Sequence, residues 1–158
     1  MALILIVDDS PTEVFQMRRM LENHGFETEA AADGAEGIRK AREIRPDLIL
    51  MDIVMPGVDG FRATRTLAND PATRAIPVIM VSSKGQETDR IWGMRQGARD
   101  YVVKPVSPSS LLDAILTALG KERVLDMHAQ TSLQPRPARL HDFAGMRLLD
   151  PAAGRFGI

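Results

Sequence analysis

The sequence predicts an α/β domain: a parallel sheet with helices on both of its faces. Three observations carry that expectation. Short runs of apolar, largely β-branched residues recur up to Gly120. Each run is followed by a stretch of helical apolar spacing with recognisable start and stop signals. The connections between them are short, as strand–helix alternation requires.

The first run, Leu3–Val7, is apolar throughout and reads as a central strand buried on both faces, ending at Asp8-Asp9. Ser10 can cap a helix, Pro11 suits its first position, and Glu13 stands where a capping box needs it. Val14, Met17, Met20 and Leu21 continue the helical spacing and Gly25 closes it. Phe26 to Ala31 alternates weakly as a second strand, and Asp33-Gly34 marks a turn. A helix from about Ala35 to Ile44 stops before Pro46.

Leu48 to Asp52 is the third strand, and the chain then turns sharply through Met55-Pro56-Gly57. A helix through Phe61, Thr64 and Leu67 ends near Asp70-Pro71. Ile76 to Val81 is the fourth strand, with Pro77 at its start, where a missing N–H is tolerated, and it runs into Ser82-Ser83-Lys84-Gly85. A helix from about Glu87 to Gln96 stops at Gly97, with Ile91, Met94 and Ala98 at apolar spacing and Trp92 off it. Tyr101 to Val103 is the fifth strand, ending at Lys104-Pro105. Ser107-Pro108-Ser109 opens a last helix that carries Leu111, Leu112, Ile115, Leu116 and Leu119 and stops at Gly120.

A chain of 158 residues fits one domain with an appendage. A net charge of -1 argues against a nucleic-acid or membrane surface, and the lack of cysteine excludes disulfides and thiolate metal sites. Ala2 to Val7 is too short for a membrane span and lacks the flanks of a secretion signal, so the expected location is cytoplasmic. Residues 1–120 are expected to form the folded domain. Residues 121–158 contain Gln134-Pro135-Arg136-Pro137 and keep no sustained period. They read as a mobile or loosely packed tail with a short helix around Leu140 to Leu149 and without a helix-turn-helix or other output domain.

The polar residues at the strand ends are the chemistry. Asp8 and Asp9 end the first strand, Asp52 the third, Ser82 the fourth and Lys104 the fifth. In an open parallel sheet those ends share one edge, where ligands bind. Singly, each residue reads as a cap or turn former; together they make a site. Three crowded carboxylates need countercharge, of which Lys104 supplies one unit. An all-oxygen donor set with two units outstanding suits Mg²⁺. Asp52 can then act as a nucleophile on phosphorus, with Lys104 neutralising charge and Ser82 donating a hydrogen bond to the bound phosphoryl group.

With these residues in place, the chain resembles the receiver domains of two-component response regulators over Leu3 to Leu119. The likeness rests on Val7-Asp8-Asp9-Ser10, Met51-Asp52-Ile53-Val54-Met55-Pro56-Gly57, Asp59-Gly60, Val81-Ser82, Gly97-Ala98 and Tyr101-Val102-Val103-Lys104-Pro105. The resemblance implies a flavodoxin-like (CheY-like) doubly wound sheet of order 2-1-3-4-5, an order that general accounts of this fold already attach to the chemotaxis member. It implies Asp52 as phosphoacceptor for a histidine kinase and Asp8 and Asp9 as the Mg²⁺ pair, joined by the Val54 backbone carbonyl. It further implies a cis Lys104-Pro105 bond, and Ser82 and Tyr101 as switch hydroxyl and switch aromatic. The Ser10-Pro11-Thr12-Glu13 and Gln86-Glu87-Thr88-Asp89 segments are similar to single-domain regulators of the chemosensory system for type IV pili and twitching motility.

On this reading, phosphorylation draws Ser82 inward and lets Tyr101 rotate in behind it. A protein partner then reads the face of the fourth helix, fifth strand and fifth helix. Trp92 is expected to be partly exposed there. Alternatives are a phosphate sink, a degenerate receiver that works as a scaffold, or a haloacid-dehalogenase-like phosphatase. That last enzyme needs a second acid where this chain has Val54, so the expectation is a phosphoacceptor signalling protein and not an enzyme, with self-phosphotransfer and self-dephosphorylation only.

Overall fold

The computed structural model describes residues 1–120; the tail from Lys121 and its expected helix around Leu140 to Leu149 lie outside the described residues. Five strands alternate with five helices: β1 (Leu3–Val7), α1 (Pro11–Glu22), β2 (Glu27–Ala31), α2 (Gly34–Ile44), β3 (Leu48–Met51), α3 (Gly60–Asn69), β4 (Val78–Ser82), α4 (Glu87–Arg95), β5 (Asp100–Val103) and α5 (Pro108–Leu119). All neighbours in the sheet are parallel, in the order β2-β1-β3-β4-β5. This is the predicted doubly wound, CheY-like arrangement.

The inner strands β1, β3 and β4 are buried at every residue, which their unbroken apolar runs require once helices cover both faces. Ile4, Leu5, Ile6, Ile49, Leu50 and Met80 have almost no exposed surface; each contributes about 1.5–3 kcal/mol by leaving water. The edge strand β2 alternates between exposed and covered residues, matching its weak pattern.

Chain order dictates where the strand order reverses. From β1 the chain passes to β2 on one side, and β3 then pairs on the other side. The register sets Val7 opposite Met51, and the next residue of each strand, Asp8 and Asp52, emerges side by side. Gly60 closes this corner. A Cβ there would lie 2.0 Å from the Asp52 carbonyl oxygen, so only glycine lets the α3 start approach that strand end.

Four details depart from the sequence reading. β4 begins at Val78 and includes Ser82, because the ladder starts where Val78 pairs with Ile49 and Pro77 contributes only its carbonyl, to the Ile49 N–H. β3 ends at Met51, leaving Asp52 just beyond it. The capping box at α1 is half formed. Ser10 Oγ accepts from the Glu13 N–H at 3.3 Å, but the Ser10 N–H donates to Asp8 and the Glu13 carboxylate is engaged elsewhere.

The fourth difference is α4. Ile91, Trp92 and Met94 are all exposed, and Gly93 is the only helix residue that is buried. A Cβ on Gly93 would stand 2.9 Å from Met80 Sδ and 3.3 Å from Tyr101 Cδ2. The helix therefore rests on the sheet along a glycine, and the apolar residues on either side of that line of contact are lifted outward. Trp92 is exposed as expected; Ile91 and Met94 do not form the buried stripe their spacing predicts.

Candidate functional site

The carboxyl ends of β1, β3 and β5 deliver the central residues. The Asp8 N–H donates to Ala31 at 3.0 Å and the Asp52 N–H to Val7 at 2.9 Å, so both backbones are fixed by the sheet itself. Lys104 follows β5, its N–H donating to the Ser82 carbonyl at 2.8 Å, and the Lys104-Pro105 bond is cis. Asp8 and Asp52 are buried while Asp9 is exposed. Asp8, Asp9 and Asp52 each offer a carboxylate oxygen, and all three oxygens lie within 4.8 Å of one another.

One ammonium serves this crowd. Lys104 Nζ donates to Asp8 Oδ2 at 3.1 Å and to Asp52 Oδ1 at 3.4 Å, and it pairs with Glu13 Oε1. Burial, followed by the neighbouring Asp8 charge, lifts the Asp52 carboxyl from 3.8 to about 6; Lys104 and the Ile53 N–H pull it partly back. For Lys104, burial alone would lower the ammonium's pKa. The contact from Glu13 and the charges of Asp52 and Asp8 outweigh it and leave Lys104 above its usual value.

The residues face an open cleft of about 570 Å³. Its wall includes Asp8, Asp9, Glu13, Asp52 and Lys104, four carboxylates against one cation, with Val54, Ser83, Met17 and Pro105 around them. That imbalance, with oxygen donors only, fits a hard divalent cation carrying its own waters. Val54 is 61% exposed at the rim.

Ser82 and Tyr101 sit behind the cleft. Ser82 is buried, and its Oγ accepts from the Lys84 N–H at 3.1 Å, so Ser83 rather than Ser82 lines the cavity in this state. The Tyr101 ring is also buried, and its hydroxyl donates to the Lys84 carbonyl at 2.5 Å. Burial raises the Tyr101 pKa, a hydrogen bond with Ser82 opposes this, and the charges of Asp89 and Asp52 add to the rise. The ring is thus already inward, and the expected inward rotation of Tyr101 does not describe a step open to this state. The cause is local: the Lys84 peptide offers an N–H to Ser82 and a C=O to Tyr101, which ties both side chains to one loop.

The site residue that sequence reasoning missed is Glu13, read there only as a capping partner. A signal was present. A carboxylate in the first turn of a helix that directly follows an acidic strand end faces back toward that end.

A model of the response regulator receiver domain matches residues 4–116. The protein PilH of Pseudomonas aeruginosa PAO1 is 56% identical over 120 residues, covering 76% of this chain and 99% of PilH. Chemotaxis protein CheY4 of Vibrio cholerae superposes with a TM-score of 0.71 at 32% identity, over 75% of this chain and 99% of that one. The receiver domain of the sensor histidine kinase PA1611 from P. aeruginosa PAO1, whose structure has a magnesium ion coordinated in the active-site cleft, superposes with a TM-score of 0.70 at 31% identity, over 75% and 98% of the two chains.

Proposed function

The chain belongs to the response regulator receiver domain family, and from that premise we propose that Asp52 accepts a phosphoryl group from a histidine kinase and that the modified domain signals to a protein partner. The observation that carries this reading is the convergence of Asp8, Asp9, Asp52 and Lys104 on one cleft. An Asp52 carboxylate oxygen attacks phosphorus as the bond from phosphorus to the donor's imidazole nitrogen breaks. That nitrogen keeps the electron pair, and the imidazole leaves neutral with a proton on its other nitrogen. The product is an acyl phosphate on Asp52.

Asp8, Asp9, Asp52 and the Val54 backbone carbonyl would hold Mg²⁺. When bound, the ion neutralises charge on the carboxylates and on the phosphoryl oxygens. Lys104 supplies the remaining positive charge and a hydrogen bond to a phosphoryl oxygen. Val54 stands where an enzyme of the dehalogenase type needs a second acid, so that position supplies none to drive turnover. The domain is a signalling protein rather than a member of an enzyme family.

The switch lies in the loop after β4. A phosphoryl group on Asp52 offers acceptor oxygens to the Ser82 hydroxyl. Turning toward them, Ser82 releases the Lys84 N–H, and the peptide that also anchors Tyr101 must re-form its bonds. The loop leads into α4, whose exposed Ile91 and Trp92, with Val103 on β5, offer a partner an apolar surface. The face of α4, β5 and α5 is therefore the reading surface in this proposal. The identity with PilH supports a role in a chemosensory pathway for type IV pili. Among the described residues no helix is long and apolar enough to cross a membrane, which fits a cytoplasmic site of action.

The test is incubation of the full chain with acetyl phosphate and Mg²⁺. Intact-mass analysis should show one added phosphoryl group, lost in Asp52→Asn. Release of inorganic phosphate from acetyl phosphate that persists in Asp52→Asn, or no modification of Asp52, would overturn the assignment.

A further inference from the structure

The geometry points to Glu13 as a positioning residue that holds the Lys104 ammonium between phosphorylation events and must surrender it to a phosphoryl oxygen. This inference rests on Asp52 being the phosphoacceptor. An ammonium has three N–H donors. On Lys104 the three carboxylate contacts, from Asp8, Asp52 and Glu13, are enough to occupy all of them. A phosphoryl group arriving at Asp52 needs one of these donors, so one existing contact has to open.

The three contacts are not equally free to move. The Asp8 side chain is 1% exposed, and its other oxygen accepts from the Ser10 N–H at 2.9 Å. Asp52 is the group being modified and remains in place. Glu13 is different. Its side chain is 42% exposed, it stands in the first turn of α1, and it lies outside the cluster of Asp8, Asp9 and Asp52 that could bind an ion. It can swing to water on its own χ angles, with no backbone shift. Glu13 is therefore the displaceable partner, and its carboxylate competes with the phosphoryl group for the same donor while adding negative charge to the cleft. Both effects slow loading of Asp52.

Removing the charge while keeping the shape, in Glu13→Gln, separates this role from packing. At saturating Mg²⁺ the variant should bind beryllofluoride about threefold to tenfold more tightly, and its phosphorylation by acetyl phosphate should accelerate to a similar degree. In the parent chain, the Glu13 carboxyl-carbon NMR signal should shift when beryllofluoride binds, whereas that of the distant, exposed Glu22 should not. A role confined to helix capping moves the melting temperature but neither of these readouts. An unchanged or slower rate in the variant, or a Glu13 signal indifferent to beryllofluoride, overturns the role of Glu13 alone. Failure of the parent chain to take up a phosphoryl group overturns the receiver assignment as well, so the two failures are told apart.

Discussion

Asp8 and Asp52 stand side by side because Val7 pairs with Met51 across β1 and β3, and the Asp52 N–H donates to the Val7 carbonyl at 2.9 Å. The backbones of two acids are thereby held side by side by sheet register. The predictions below follow from that enforced proximity and from the few groups that offset it.

In metal-free protein the Asp52 carboxyl is raised from 3.8 to about 6. The folded state then prefers the protonated acid. Stability from this group is fully present below about pH 4 and is lost as pH rises through 6. Asp52→Asn removes the loss. In EDTA the variant should exceed the parent by about 1–3 kcal/mol at pH 7.5, with the gap closing below pH 4. Urea unfolding of both proteins across that range is the measurement; a constant gap would contradict the assignment of the shift to Asp52.

Lys104 is the only cation in contact with Asp8 and Asp52 among the described residues. Lys104→Met should leave those carboxylates without their ammonium and reduce phosphorylation from acetyl phosphate by about tenfold or more. In EDTA at neutral pH it should also lower stability by about 1–3 kcal/mol, and Mg²⁺ should restore part of that loss. Rate measurements and melts with and without Mg²⁺ test both parts.

Val54 lies at the cleft rim, where its apolar side chain can impede water approaching an acyl phosphate. Val54→Asn should speed loss of the phosphoryl group about twofold to tenfold once donor is removed. Equal decay rates in variant and parent would remove any shielding role and leave only the backbone carbonyl.

Gly93→Ala places a methyl carbon 2.9 Å from Met80 Sδ and 3.3 Å from Tyr101 Cδ2. Overpacking of this kind costs about 1–3 kcal/mol. Because Trp92 is the sole tryptophan and adjoins the site of change, its emission should also shift. Chemical denaturation followed by that signal reads both effects.

The architecture was legible because the inner strands β1, β3 and β4 are short unbroken apolar runs and the first and last helices carry caps where their sequences suggest them, at Ser10 and Ser107. The carboxyl ends of the strands were legible to within a residue, enough to place Asp8, Asp52 and Lys104 on one edge. What was not legible depends on contacts between distant segments. The seat of α4 is set by Gly93 meeting Met80 and Tyr101, and apolar spacing within the helix says nothing of a glycine's partners. Glu13 satisfied a local rule so well that its long-range contact with Lys104 was hidden. The inward Tyr101 and the Ser82 bond to the Lys84 amide are rotamer choices made by a loop peptide, below the resolution of any sequence pattern.

The glycine seat of α4 has a mechanical consequence. Helices resist sliding because side-chain ridges lodge in the grooves of whatever lies beneath them. Along its line of contact with Met80 and Tyr101, α4 lays down bare backbone, so there is no ridge to climb out of a groove. What holds the helix in place along its axis is then polar: Arg90 donates to the Tyr101 carbonyl at 3.2 Å and pairs with Asp100 at 3.6 Å.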